Sequence, residues 1–221
     1  MPAGKSHINA AMRFVMVIAF PCTIGLGVLG EPICAMLFPG TADTAPMAGM
    51  MMMVGAFAVV FYSMSTLSNG LLQGIDRLKV PVVNAAIALV AHVVLLIALM
   101  LFFRLNIYAV VIANMFFALL MCVLNARAIR KYSGYQQEYV KTFVIPLISS
   151  AVMGLATFLV YRGIHTLLKS NIVATVVAII VAVVVYAVVL LLLKGLDEDE
   201  ILRFPKGAML VQLAKRLHLL R

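Results

Sequence analysis

Few residues in this 221-residue chain have side chains that could do chemistry. Glu31 is the one acidic residue inside an apolar run, toward the run's C-terminal end. A carboxylate there can line a polar cavity, carry coupling to a cation, or simply reach the membrane interface. His92 sits midway along another apolar run. Its imidazole can titrate near neutral pH, contact an anionic head group, or hydrogen-bond a neighbouring helix. Asn69 and Gln73 close the run before it, Asn84 opens its own, and Asn114 and Asn125 lie on the next. Amide side chains at such places mostly cross-link helices. Asn84 and Asn114 stand beside Glu31 and His92 as candidates for touching a substrate or coupling ion.

These groups do not form a catalytic signature. His7, His92, His165 and His218 are not paired with another ligand at helical spacing, and no G-x-S-x-G, H-E-x-x-H or phosphate-cradling loop occurs. Cys22, Cys34 and Cys122 all lie in apolar runs without a C-x-x-C, which makes them small packing residues. The expectation is no enzyme activity, no metal and no cofactor.

The elements that must position the candidates are set by composition. The chain is 65% apolar and 11% charged, against roughly 45–50% and about 25% in soluble domains. A water-soluble fold of this size could not bury that much apolar surface. Six runs are long enough to cross a bilayer, which takes about 20 apolar residues in a helix. They cover about 13–38, 47–72, 80–103, 107–128, 142–161 and 172–193. Several are rich in Val and Ile, but membrane strands are short and alternate, whereas an unbroken run must be helical to satisfy its own backbone. The first run is too long for a signal-peptide core and reads as retained.

The net charge is +9, and the bases sit in short gaps between runs. With the N-terminus placed in the cytoplasm, the outer segments hold only Arg104, Arg162 and Lys169, and the other fourteen of the seventeen bases lie inside. The asymmetry puts both termini in the cytoplasm. No long basic stretch with interleaved aromatics occurs, so nucleic acid is not an expected partner.

Pro21 and Pro32 punctuate the first run. Proline removes a helical hydrogen bond, and both are candidate pivots; a tolerated membrane proline is the competing reading. Ala174, Ala178 and Ala182, with Ser150 and Gly154, form small-residue stripes through which the last two helices can pack closely on each other or on a neighbour. From Met209 the tail reads as a basic amphipathic helix that rests on the inner membrane surface or docks on a partner.

Four stretches together carry a family resemblance: NAAMRFVMVIAFPCTIGLGVLGEPICAMLF, STLSNGLLQGIDRLKVPVVNA, NIYAVVIANMFFALLMCVLNARAIRKYSGY and KGLDEDEILRFPKG. They resemble the bacterial polysaccharide biosynthesis and stage V sporulation protein B group. That group belongs to the superfamily of multidrug exporters and flippases for lipid-linked oligosaccharides or lipid II. The resemblance implies two pseudo-symmetric lobes followed by a terminal helix pair, of which this chain matches the C-terminal portion. Residues 1–128 would be a four-helix part of the second lobe. Residues 129–195 would be the terminal pair, which in flippase relatives forms a groove for the lipid tail, and 196–221 a cytoplasmic tail. The cationic residues that grip pyrophosphate in lipid II flippases lie mostly in helices outside this chain, and none is carried over.

The expectation is an all-α polytopic protein of the bacterial plasma membrane, with six transmembrane helices and a C-terminal interfacial helix. It would be a fragment, split half or truncated form of a flippase-type transporter. Its partners would be membrane lipid, a lipid-linked glycan, and an N-terminal half or further copies of itself. A non-transporting membrane interaction protein and part of a drug or cation exporter are the alternatives.

Overall fold

The computed structural model describes residues 2–38, 40, 44–133, 138, 140–193 and 195, the first six of them by their backbone alone. The described residues are helical and include no strand. Six helices follow one another: α1 (Pro2–Leu37), α2 (Ala45–Gly74), α3 (Lys79–Leu101), α4 (Ile107–Ser133), α5 (Ile145–Leu168) and α6 (Asn171–Leu192). A single π-helical turn, Val140–Val144, leads into α5. All six are long and apolar enough to cross a membrane. Even the shortest, α6 with 22 residues, reaches about 33 Å at 1.5 Å per residue, enough for a hydrocarbon core about 30 Å thick. The chain is an all-α, polytopic integral membrane protein. The amphipathic helix expected from Met209 lies outside the described residues.

Several helices outrun the apolar stretches that announce them. α1 starts before Arg13, and α4 runs on to Ser133 through Arg127, Arg130 and Lys131. A helix satisfies its own backbone in lipid and at the interface alike, so charged residues end the apolar stretch without ending the helix. α1 also continues as one helix through Pro21 and Pro32. At α2 and α5 a proline sits in the first turn, where its missing N–H costs nothing.

The chain divides into two compact units, Met1–Gln137 and Glu138–Arg221. In the first, α1 packs on α2, α2 on α4, and α4 on α3, so the packing order departs from the chain order. α1 and α2 approach closely at two glycines. A Cβ on Gly49 would lie 2.6 Å from the Cα and Cβ of Glu31 and 2.7 Å from its backbone nitrogen. A Cβ on Gly30 would meet the Gly49 carbonyl oxygen at 3.0 Å. At the opposite end, buried Leu72 and Ile129 meet Ile8, Leu71, Val80 and Ala128, so α1 to α4 converge there. The α2–α3 turn reverses in four residues, with Asp76 in the left-handed region at φ 60°.

In the second unit, α5 and α6 form an antiparallel hairpin. Lys169 closes α5 in the left-handed conformation, its N–H donating to the His165 carbonyl at 2.9 Å. Ser170 caps α6 by accepting the Val173 N–H. The small-residue stripes are buried as their spacing suggests: Ala174, Ala178 and Ala182 on α6, Ser150 and Gly154 on α5. With no hydrophobic drive between helices in lipid, small side chains gain contact by letting backbones approach. Near the hairpin turn Asn171 Oδ1 accepts from Tyr161 Oη at 3.0 Å and from Thr175 Oγ1 at 3.3 Å.

Candidate functional site

Three asparagines of the first unit meet on a seam joining α2, α3 and α4. Asn84 Nδ2 on α3 donates to Asn125 Oδ1 on α4 at 2.9 Å. Asn125 Nδ2 in turn donates to Asn69 Oδ1 on α2 at 2.6 Å. Asn125 is 0% exposed and stands at the centre of this amide relay. An unpaired amide in hydrocarbon is costly, so each partner fixes the others in place. Ser68, beside Asn69 in sequence, is also buried, and its hydroxyl has no hydrogen-bond partner.

Eight residues after Asn84, on the same face of α3, His92 also turns toward α4. Its Nδ1 lies 2.9 Å from the Ala113 carbonyl oxygen. A carbonyl only accepts, so Nδ1 carries the proton and Nε2 is left as acceptor in the neutral ring. The imidazole meets Phe117 edge-on, with centroids 5.9 Å apart, and Phe117 in turn faces Tyr62 of α2 at 6.3 Å. Ala88, Ala109, Ala113 and Ala118 are fully buried along this seam and bring the backbones close enough for these bonds.

The structure therefore joins Asn84 and His92 on one helix interface and separates the other candidates from them. Asn114 follows Ala113 on α4 but its side chain is exposed. Glu31 has an exposed side chain, while its backbone forms the contact with Gly49. Pro32 is buried and Pro21 half-buried, both within unbroken α1. Among the described residues no group of three or more His, Cys, Asp or Glu side chains stands where it could hold a metal ion.

Sequence reasoning passed over two features. Arg13, counted as a flanking base, is 5% exposed within α1; its place after buried Met12 and three residues before buried Met16 carried the only hint. Thr142 and Ser149 join Ser150, already marked by its small-residue stripe, on the buried face of the second unit, and all three hydroxyls are without hydrogen-bond partners. Their spacing of seven and eight residues was a legible helical face.

Comparison with known proteins adds an independent line. Residues 1–182 match the family described as lipid II flippase MurJ. The lipid II flippase MurJ of Bacillus subtilis (strain 168) is 26% identical over 158 residues, which make up 71% of this chain and 28% of that protein. The chain thus spans less than a third of the length of that relative. No solved structure matches it. The matched family falls within the flippase superfamily that the sequence motifs resemble; the match does not reach the narrower sporulation-protein-B-like grouping.

Proposed function

We propose that this chain, which belongs to the lipid II flippase MurJ family, forms part of a transporter that moves lipid-linked cell-wall precursors or related lipid-linked oligosaccharides across the bacterial plasma membrane. The observation that carries the proposal is the family match across residues 1–182, which takes in five of the six apolar helices and half of α6. A transporter of this kind breaks no covalent bond; it supplies a polar path that a charged sugar head group can follow while its lipid tail stays in hydrocarbon.

That path needs more helices than this chain supplies. On the seam of α2, α3 and α4 the three asparagines are paired with one another and His92 Nδ1 with a backbone carbonyl. We assign this seam the task of holding these helices as one moving body, with Pro21 and Pro32 as the places where α1 gives. Exposed Glu31 and Asn114 are the groups free to face the path. The further helices come from the remainder of a longer polypeptide, a partner portion, or a second copy. In this scheme 1–128 belong to the second lobe, 129–195 to the terminal pair, and 196–221 to a cytoplasmic tail. Both termini then lie in the cytoplasm, a placement that the distribution of bases supports. A drug or cation exporter is disfavoured, because such chemistry leans on buried acids and the only acid within the spans is exposed Glu31.

The test is rescue. Cells depleted of their own flippase, expressing this chain with an N-terminal flippase portion, are expected to resume growth, and neither piece alone is expected to suffice. Failure to grow with both pieces shown to be inserted in the membrane would overturn the proposal.

A further inference from the structure

We infer that the end of the first unit where α2, α3 and α4 meet binds the phosphate of an anionic phospholipid. Arg77, in the α2–α3 turn, holds its guanidinium carbon 4.7 Å from the centroid of the Tyr132 ring, which projects from the last turn of α4. Lys131 brings its ammonium to 5.7 Å from the same ring. An aromatic face attracts a cation, but two cations on one ring repel each other. An anion that contacts both cations offsets that repulsion. Lys79 and Arg130 are exposed close by in sequence, and among the described residues no carboxylate pairs with any of these four bases.

The turn itself forms an open cleft that carries both Arg77 and Lys79, with Asp76 at its start. Residues Asp76 to Val80 line a cavity of about 280 Å³. Ile75 and Leu78 are exposed alongside the cations. Apolar side chains next to a cationic ring pair suit the glycerol backbone and upper acyl chain of a lipid, whereas a free phosphate gains nothing from them. This end also lies just beyond the apolar part of α2 and α3, at head-group depth, where polybasic segments meet anionic lipid. The inference rests on the chain spanning a membrane and is independent of the substrate it moves.

Native mass spectrometry of the detergent-purified chain tests this by titration with phosphatidylglycerol, phosphatidylcholine of the same chain length, and inorganic phosphate. Phosphatidylglycerol is expected to bind in preference to phosphatidylcholine and to resist displacement by millimolar phosphate. The Arg77→Gln/Lys131→Gln variant is expected to bind phosphatidylglycerol about 25-fold more weakly, about fivefold for each charge removed. Arg104→Gln/Lys169→Gln, which removes the same charge elsewhere, should leave binding unchanged. Tyr132→Phe should bind as the parent does. If the double variant loses helical circular dichroism, Lys131→Gln alone, at an exposed position, supplies the reading with a fivefold loss. Equal binding of the two lipids, displacement by phosphate, or undiminished binding in the folded variants would each overturn the inference.

Discussion

Replacing Gly49 by alanine is expected to push α1 off α2 and lower the stability of the first unit by about 3 kcal/mol, at the upper end of the usual range for overpacking. The added Cβ would stand 2.6 Å from Glu31 Cα and 2.7 Å from its nitrogen. These are backbone atoms of a continuous helix and cannot rotate away as a side-chain tip could. Gly49→Val should cost more, because both branches of valine point into the same contact. Gly55 on the same helix is the matched control. A Cβ there meets only Val111 Cγ1, at an ordinary 3.6 Å. Gly55→Ala should therefore be neutral or gain up to about 1 kcal/mol from helix propensity. Denaturation of the purified chain in mixed detergent, followed by circular dichroism, reads both. A midpoint that falls for Gly49→Ala and not for Gly55→Ala bears out the crossing; equal midpoints would show that α1 and α2 do not meet there.

Asn125→Ala is expected to give the second large loss, about 2 kcal/mol. It removes one acceptor and one donor at once, leaving Asn84 Nδ2 and Asn69 Oδ1 without their partner. Hydrogen bonds between membrane helices average about 0.6 kcal/mol and reach about 1.7, and the lost side-chain volume adds to the sum of two. A double-mutant cycle between Asn84→Ala and Asn125→Ala should return a coupling of about 1 kcal/mol. The cycle between Asn114→Ala and Asn125→Ala should return none, because exposed Asn114 lies about three helical turns along α4 from Asn125. The comparison also separates holding from transport. If the relay only binds three helices together, replacing all three asparagines by leucine should restore stability in lipid and keep transport. Restored stability with lost transport would make the amides part of the path.

Much of the architecture was legible because lipid leaves a helix few alternatives. Runs of apolar residues near bilayer length become spans whatever their β-propensity, and Val- and Ile-rich α6 is helical for that reason. Ala174, Ala178 and Ala182 announced a close-packed face without naming its partner, and the short turn at Lys169 then made α5 the neighbour. The packing of α2 beside α4 was not legible, since no local signal says which small-residue face meets which. The same limit hid the relay. Asn69, Asn84 and Asn125 each read as a helix cross-linker, but partners 41 and 56 residues apart in sequence become neighbours only through tertiary packing. Glu31 drew notice as a lone acid, yet a residue six positions from the end of α1 keeps its carboxylate exposed while its backbone makes the contact. Arg13 shows the converse. A base near the edge of an apolar run reads as a flank, and only the continuation of α1 on both sides reveals it as buried.

The most direct test is the movement of substrate itself. Cells depleted of their own flippase and expressing this chain with an N-terminal flippase portion would be converted to spheroplasts. They would then be given a radiolabelled lipid-linked cell-wall precursor made inside. An enzyme added outside that cleaves the precursor's head group should release label when both portions are present. Release should stay at background when either is omitted. Background release with both portions inserted and assembled would contradict a role for these six helices in carrying that lipid across the membrane.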